Sequence, residues 1–202
     1  MFLICSDMEG VFTPEIWIAV SKKTGIEKLS LTTRDISDYD QLMKMRIEIL
    51  DQHGLKLKDI QDVIAGMDPL PGAREFLDWA RKAAQIIVVS DTFVQFADPL
   101  MDKLGRPTLF CNSLVVDEND RITGYTLRMK DGKRHVAEAM KGLNFTTIGV
   151  GDSYNDVTML KAAHRGILFC PPDKVVAEFP HFPVARDYAT LKSLIETAMR
   201  EL

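Results

Sequence analysis

Asp7-Met8-Glu9-Gly10-Val11 follows the apolar run Phe2-Leu3-Ile4-Cys5, from which it is separated by Ser6 alone. The run predicts a buried strand, because it is too short for a helix and has no helical periodicity. If that strand lies inside a parallel sheet, Asp7 stands at its carboxyl end, where open α/β sheets place their ligands. A carboxylate there can be a metal ligand, a general acid or base, or a nucleophile. An acidic strand-to-loop turn would have the same residues, so other parts of the chain must decide between the two interpretations.

The composition is that of an ordinary globular protein, with 202 residues, 46% hydrophobic and 27% charged. This length allows one large core together with a small accessory domain. A net charge of -4 argues against a broad nucleic-acid-binding face. No apolar run approaches the ~20 residues of a membrane span, and Asp7 interrupts the N-terminus too early for a signal-peptide core. We therefore expect a cytoplasmic protein with a small-molecule substrate.

The three widely spaced cysteines, Cys5, Cys111 and Cys170, are expected to be buried free thiols.

The residues after the first motif predict a helical insert. Thr13 and Pro14 have the pattern of an N-cap and a first helical position, for a helix that would end at Gly25. Helical sequence continues to about Met67, most clearly over 40–52, and a Pro- and Gly-rich break at 68–72 follows it. We expect residues 14–68 to form a cap, and residues 1–13 and 69–202 to form the main α/β domain.

Arg46 falls among the apolar residues of the helix predicted over 40–52, so its side chain should point inward. A buried guanidinium requires an anionic partner. That partner could be a cap carboxylate, Glu15 or Asp38, or an anion on a ligand beneath the cap. Glu15 has an ordinary explanation as well, since the helix dipole favours a carboxylate in a first helical turn.

The rest of the chain alternates strands and helices. Residues 86–90 predict a strand buried on both faces, after which Ser90-Asp91-Thr92 would open a helix, either as a plain N-cap or as an anion site. A short strand is expected at 108–111, and residues 114–116 and 122–127 predict a β-hairpin at the edge of the sheet.

The next buried strand, predicted over 145–150, leads into Gly151-Asp152-Ser153-Tyr154-Asn155-Asp156. Ser153 and Asp156 have the spacing of a capping box, which leaves Asp152 unexplained at a strand end, as Asp7 is.

This alternation predicts a doubly wound, Rossmann-like α/β fold with a small helical cap inserted after the first strand. Asp7, Ser90 and Asp152 would then share one edge of the sheet, and Lys133 lies in a basic loop that could reach it. Carboxylates, a hydroxyl and a lysine in one crevice suit phosphoryl transfer with Mg²⁺, which prefers carboxylate, water and phosphate oxygens.

These residues resemble, in order, the four motifs of the haloacid-dehalogenase-like superfamily: residues 7–11, Ser90, Lys133 and residues 151–156. Each motif is weak alone, but four in the expected order and strand context are specific. The insert with Glu15 and Arg46 is similar to that of the phosphoserine phosphatases, in particular the ThrH type, which also transfers phosphate to homoserine.

The resemblance implies a role for each matching residue. Asp7 would be the nucleophile that forms an aspartyl-phosphate, and Glu9 the general acid and base. Mg²⁺ would be held by the Asp7 side chain, the Glu9 main-chain carbonyl and Asp152. Glu15 would contact the substrate amine and Arg46 its carboxylate, and Asp156 would be a supporting residue. The remaining implied substrate contacts are Ser90, Asp91, Lys133 and Asn155. Lys130 is a second candidate, beside Lys133, for the lysine that binds the phosphate.

One residue departs from the usual pattern, because the second acid of the first motif is normally aspartate and here is Glu9, as in the ThrH type. Its reference pKa differs by only about 0.4 units, so the change is mainly one of reach. We hypothesise that poorer activation of water would favour transfer to an alcohol.

Three other functions compete with this one. A signalling receiver domain uses similar residues, but its phospho-acceptor lies on a middle strand and it has no helical insert. A catalytically silent phosphoamino-acid-binding protein would not need a nucleophile beside a general acid. A phosphatase for another small phosphomonoester stays open, because cap residues set specificity.

Overall fold

The structure, a computed structural model, describes residues 1–32, 35–36 and 38–202. Its centre is one sheet in the order β4-β3-β2-β1-β5-β6-β7, in which every neighbouring pair is parallel except β3 and β4. The strands are β1 (Phe2–Ser6), β2 (Gln85–Phe93), β3 (Thr108–Val116), β4 (Ile122–Thr126), β5 (Thr146–Gly151), β6 (Arg165–Phe169) and β7 (Val184–Ala185).

The α-helices in the described part of the chain lie mostly between these strands. They are α1 (Ile16–Thr24), α2 (Tyr39–Gln52), α3 (Leu57–Ala65), α4 (Ala73–Ala83), α5 (Val94–Lys103), α6 (Gly132–Gly142), α7 (Val157–Ala162), α8 (Asp173–Glu178) and α9 (Tyr188–Glu201).

Strand β1 is central and is covered on both faces. It pairs with β2 on one side and with β5 on the other. Ile4 packs in one hydrophobic cluster, whereas Leu3 and Cys5 pack in a second one, because successive side chains of a strand point to opposite faces. The predicted doubly wound α/β fold is confirmed, and Asp7 lies just beyond the carboxyl end of a buried strand.

Several local predictions were wrong at the ends of elements. Helix α1 begins at Ile16 rather than Pro14, because Thr13 forms an isolated β-bridge with Glu9 and Glu15 is the N-cap. The residues Ser90-Asp91-Thr92 belong to β2, which continues to Phe93, so they do not open a helix.

Two further expectations concern β3 and the basic loop. The predicted short strand and the first arm of the hairpin form one strand, β3, which runs through the buried Asn112. Lys133 lies in the first turn of α6 rather than in a loop. The expectation of buried thiols holds for Cys5 but not for Cys170, which is exposed, and Cys111 is half-buried.

The helices α1, α2 and α3 follow β1 and precede α4, as predicted for an inserted cap. We call residues 14–68 the cap segment, and its treatment as a separate domain stays a prediction. Helix α3 packs on α5 and α2 packs against β4. Within the described residues, no helix combines the length and the apolarity needed to cross a bilayer.

Candidate active site

A buried ion pair lies at the carboxyl end of β1. The Asp7 carboxylate accepts a hydrogen bond from the Met8 N–H through Oδ1 (2.7 Å), and its Oδ2 lies 2.8 Å from Lys133 Nζ. The ammonium group also lies 2.7 Å from Asp156 Oδ1. Asp7, Lys133 and Asp156 are 4%, 3% and 0% exposed. The ammonium group therefore pairs with two carboxylates in a part of the protein that is shielded from bulk water.

Asp156 has both carboxylate oxygens occupied. Its Oδ2 accepts hydrogen bonds from the backbone N–H groups of Asp152 (2.9 Å) and Ser153 (3.1 Å), and its Oδ1 faces Lys133. The predicted capping box therefore exists, and it also fixes the loop that carries Asp152. Asp156 is best placed to orient its neighbours.

Gly10 is required by the close approach of the first motif to Asp152. Its φ of 77° lies in the left-handed region, and a Cβ added there would lie 2.5 Å from Asp152 Cγ. Only glycine lets the two acidic loops meet at this distance.

The acidic cluster carries more negative charge than its one lysine neutralises. Burial raises the pKa of Asp152 to about 7, and the Asp156 carboxylate contributes to this rise. Burial and Asp156 also hold the pKa of Asp7 well above its usual range, although Lys133 opposes them. Burial alone would lower the pKa of Lys133, but the Asp156, Asp7 and Asp91 carboxylates outweigh it and raise that pKa.

The cluster fits a divalent cation. Ligand oxygens of Asp7, Asp152 and Asp156 lie within 4.8 Å of one another. Hard oxygen donors with uncompensated charge are what Mg²⁺ prefers. The oxygens of Asp156 already contact Lys133 and two N–H groups, and Asp156 does not line the cavity described below. Asp7 contacts Lys133 and a single N–H group, and both Asp7 and Asp152 line that cavity, so these two side chains are better able to hold a metal.

A second group of polar residues lies at the end of β2. Asp91 Oδ2 accepts a hydrogen bond from Asn155 Nδ2 (3.0 Å) and lies 3.7 Å from Lys133 Nζ. Ser90 is buried, and its Oγ accepts a hydrogen bond from the Thr92 N–H (3.2 Å). The hydroxyl hydrogen of Ser90 can therefore point to an anion beside Lys133.

Glu9 is tied to the cap segment. Its Oε2 accepts a hydrogen bond from the Ile16 N–H (2.8 Å), which is the first N–H of α1. Burial raises the pKa of Glu9 to about 8, with a further contribution from the nearby Glu15 charge. A carboxyl group with this pKa holds a proton at neutral pH, as a general acid must.

Arg46 lies inside the cap segment, as its position in the sequence predicted. It is 6% exposed, its guanidinium carbon stacks 4.5 Å above the Trp17 ring, and one terminal nitrogen donates to the Leu31 carbonyl (2.7 Å). Its Nε is buried and has no hydrogen-bond partner among the residues that the structure describes. Burial lowers the pKa of Arg46 to about 10, and in the described residues neither Glu15 nor Asp38 pairs with it.

These residues surround one cavity of about 120 Å³ between the cap segment and the sheet edge. The predicted site residues that line it are Asp7, Glu9, Glu15, Arg46, Ser90, Asp91, Lys133, Asp152 and Asn155. Asp156 lies behind Lys133 and Asp152. Lys130 is exposed, so the geometry favours Lys133 as the lysine of this cavity.

Other lining residues were missed by the sequence reasoning. Trp17 and Leu42 add apolar surface to the cavity, and the Tyr39 hydroxyl donates to the Asp91 carbonyl (3.2 Å). Tyr39, Leu42 and Arg46 are spaced three and four residues apart on α2. This spacing puts them on one face of the helix. The sequence could therefore have indicated that Tyr39 and Leu42 line the cavity together with Arg46.

The haloacid dehalogenase-like hydrolase family model matches residues 3–164, which include all of the motifs above. The chain belongs to this family. The resemblance inferred from the four motifs is therefore confirmed, and the buried cluster around Asp7 occupies the candidate active site of a haloacid dehalogenase-like hydrolase.

Two bacterial relatives match nearly the whole chain. Phosphoserine phosphatase ThrH of Pseudomonas aeruginosa is 56% identical over 192 residues, which cover 95% of this chain and 94% of that protein. A phosphoserine phosphatase of Pseudomonas syringae pv. tomato is 55% identical over 201 residues, covering 99% and 85%.

Solved structures with the same fold are more distant in sequence. A phospho-aspartyl intermediate analogue of phosphoserine phosphatase superposes with a TM-score of 0.76 at 21% identity, covering 97% of this chain and 98% of that one. A substrate-bound phosphoserine phosphatase complex gives a TM-score of 0.75 at 21% identity, covering 97% of both chains. At this level of identity the comparison supports the fold alone.

Proposed function

We propose that this protein is a Mg²⁺-dependent phosphoserine phosphatase that works through an aspartyl-phosphate on Asp7. The observation that carries the proposal is that one cavity contains both a candidate nucleophile and a separate buried cation. Asp7 and Lys133 form a buried ion pair, and the Arg46 guanidinium has a buried Nε without a partner. The names of the two Pseudomonas relatives give the same substrate.

In the first half-reaction, an Asp7 carboxylate oxygen attacks phosphorus and the bond between phosphorus and the serine oxygen breaks. Glu9 donates its proton to the departing alkoxide, which suits the raised pKa of Glu9. Lys133 and the Ser90 hydroxyl hold the phosphoryl oxygens, where negative charge increases in the transition state.

In the second half-reaction, the ionised Glu9 takes a proton from an acceptor hydroxyl. That oxygen attacks phosphorus, the bond to Asp7 breaks, and the free carboxylate is regenerated beside Lys133. Asp156 holds the lysine and the Asp152 loop in place throughout.

The proposed metal ligands are the side chains of Asp7 and Asp152 and the main-chain carbonyl of Glu9. When bound, Mg²⁺ supplies positive charge that offsets the carboxylates and the phosphoryl oxygens.

The proposed substrate contacts in the cap segment are Arg46 for the serine carboxylate and Glu15 for its amine. The Arg46 guanidinium is buried, stacks on Trp17 and has an Nε without a hydrogen-bond partner among the described residues, so it is suited to a planar, two-oxygen partner.

Homoserine as an alternative phosphate acceptor is the finer part of the proposal. It is supported by the Glu9 contact, because one Glu9 oxygen is held by the Ile16 N–H at the start of α1. A carboxylate fixed in this way can adjust little to the varying positions of a mobile water molecule. The hydroxyl of homoserine would instead be held beside Glu9, because the amino and carboxylate groups of homoserine anchor it.

The first test is phosphate release from phosphoserine, measured with Mg²⁺ and after chelation, with and without homoserine. We expect release only with Mg²⁺, together with phosphohomoserine when homoserine is present. Metal-dependent release without phosphohomoserine would reject the transfer reaction alone. Binding of phosphoserine without turnover would instead indicate a phosphoamino-acid-binding protein, and equal rates on all phosphomonoesters would remove the roles of Glu15 and Arg46.

A second prediction concerns Arg46→Met, which keeps a long apolar stem on Trp17 and removes the charge. We expect kcat/KM for phosphoserine to fall on the order of 100-fold, the scale for removing one partner of a buried charge pair. Phosphoethanolamine is the matched control, since it has the amine and the phosphate but no carboxylate. Its kcat/KM should change little, and an equal loss on both substrates would contradict the assignment.

A further inference from the structure

The hairpin of β3 and β4 contacts the cap segment at several points along a groove separate from the active-site cavity. Helix α2 lies on one side of this groove, β4 lies on the other, and Tyr125 of β4 lies within it. At one end of the groove, the Arg121 guanidinium pairs with Asp51 of α2 (2.5 Å). Nearby, the Asp120 carbonyl accepts a hydrogen bond from the Leu57 N–H (2.9 Å) at the start of α3.

Tyr125 makes the contacts nearest the active site. Its hydroxyl donates to Asp40 Oδ1 (2.7 Å) in the first turn of α2. The edge of its ring meets the ring of Tyr39, with centroids 5.8 Å apart and an interplanar angle of 83°. Tyr125 also packs edge-on against Phe93, the last residue of β2. It therefore contacts Tyr39 and Phe93, which line the cavity on opposite sides, without lining the cavity itself.

Tyr39 connects Tyr125 to the Ser90-Asp91 end of β2. Its hydroxyl donates to the Asp91 carbonyl (3.2 Å), which also accepts a hydrogen bond from Asn112 Nδ2 (3.1 Å). The Asp91 carboxylate in turn bonds Asn155 and lies near Lys133. A movement of the first turn of α2 would break the bond of Tyr39 to Asp91.

We propose that Tyr125 is a positioning residue, which holds the first turn of α2 through Asp40 and Tyr39 so that the cap segment stays closed over the Ser90-Asp91 strand end. The choice of phosphoserine as the substrate in the test rests on the proposed function, whereas the contacts of Tyr125 are independent of the substrate. Because Tyr125 contacts Asp40, Tyr39 and Phe93 and none of the residues proposed to react, we expect it to act on the position of the cap segment and not on the chemical step.

The test uses Tyr125→Phe and Tyr39→Phe, each of which removes one hydroxyl and keeps the ring. We expect each variant to raise KM for phosphoserine about fivefold, the effect of one net hydrogen bond, with little change in kcat. Since Tyr125 acts on the Asp91 strand end through Tyr39, the two variants interrupt the same chain of contacts, and the double variant should be no worse than either single one.

Two further variants separate positioning from simple attachment of the hairpin. Arg121→Gln breaks another bond between the hairpin and α2 without touching Tyr39, so it should leave KM unchanged. Asp40→Asn keeps an acceptor for the Tyr125 hydroxyl and should retain a near-normal KM, whereas Asp40→Leu should behave as Tyr125→Phe does. The proposal is overturned if Tyr125→Phe matches Arg121→Gln, or if the effects of the two tyrosine variants multiply.

Closure can also be measured without any substrate. Trp17 lines the cavity, so acrylamide quenching of its fluorescence, in a Trp79→Phe background, reports how often the cavity opens. We expect stronger quenching in Tyr125→Phe and unchanged quenching in Arg121→Gln. Stronger quenching without phosphoserine turnover in the parent protein would reject the proposed function and support the positioning role. Unchanged quenching with normal turnover would overturn the positioning role.

Discussion

Lys133→Met is expected to lower the free energy of unfolding by about 3–5 kcal/mol and to abolish phosphate release, because it leaves buried carboxylates without their cation. In the described residues, Lys133 is the cation paired with both Asp7 (2.8 Å) and Asp156 (2.7 Å). Methionine has a similar length and no charge, so the loss reports the ammonium group more than the volume. Urea unfolding and phosphate release with Mg²⁺ measure the two effects.

Lys130→Met is the matched control for this variant. Lys130 lies three residues away and is exposed, and it was the alternative phosphate lysine in the sequence. Its replacement should change the free energy of unfolding by no more than about 0.5 kcal/mol and leave turnover intact. Similar losses in both variants, or a larger loss at Lys130, would contradict the assignment of Lys133.

The sequence predicted the sheet edge well because strands and their ends have strong local signals. Short apolar runs marked β1 and β2 as buried strands, residues 145–150 were predicted as the next one, and the carboxyl ends of parallel strands lie at one edge of the sheet. The order of these strands along the chain is therefore enough to put Asp7, Ser90 and Asp152 in one crevice. Their shared cavity follows from the topology.

Lys133 shows why the loops were harder to predict. The run from Lys130 to Arg134 has the composition of a solvated loop. Helix α6 nevertheless begins at Gly132, after Asp131 adopts a left-handed conformation (φ 51°), and Lys133 points into the protein. The reason lies in its long-range contacts with Asp7 and Asp156, which no local pattern contains.

Long-range contacts also explain the errors at α1 and β3. The first N–H of α1 is satisfied by Glu9, seven residues earlier, and not by Thr13 as a local N-cap. Asn112 interrupts the apolar pattern of β3, so the strand was divided in two, yet its side chain bonds the Asp91 carbonyl and the Arg128 N–H. A polar residue inside a strand or helix can be satisfied by a hydrogen-bond partner that is distant in the sequence, and local sequence patterns do not identify that partner.

Asp7→Asn is expected to reduce phosphate release by roughly 10⁴-fold or more, on the scale of losing a catalytic nucleophile. Asparagine can still accept the Met8 N–H through its carbonyl oxygen, and Lys133 keeps Asp156 as a partner. The fold should therefore persist while the attacking oxygen is lost. Acid-quenched mass spectrometry provides a second measurement, since the parent protein should gain one phosphoryl group during turnover and the variant should gain none.

Asp91→Asn is the matched control, because it removes another carboxylate near Lys133 (3.7 Å) without removing the nucleophile. It should weaken turnover by no more than about tenfold, as expected for a half-exposed contact, and it should still form the phosphoenzyme. A phosphorylated Asp7→Asn protein, or turnover in it close to that of Asp91→Asn, would rule out Asp7 as the covalent acceptor. The buried cluster around Lys133 would then bind phosphate without being phosphorylated.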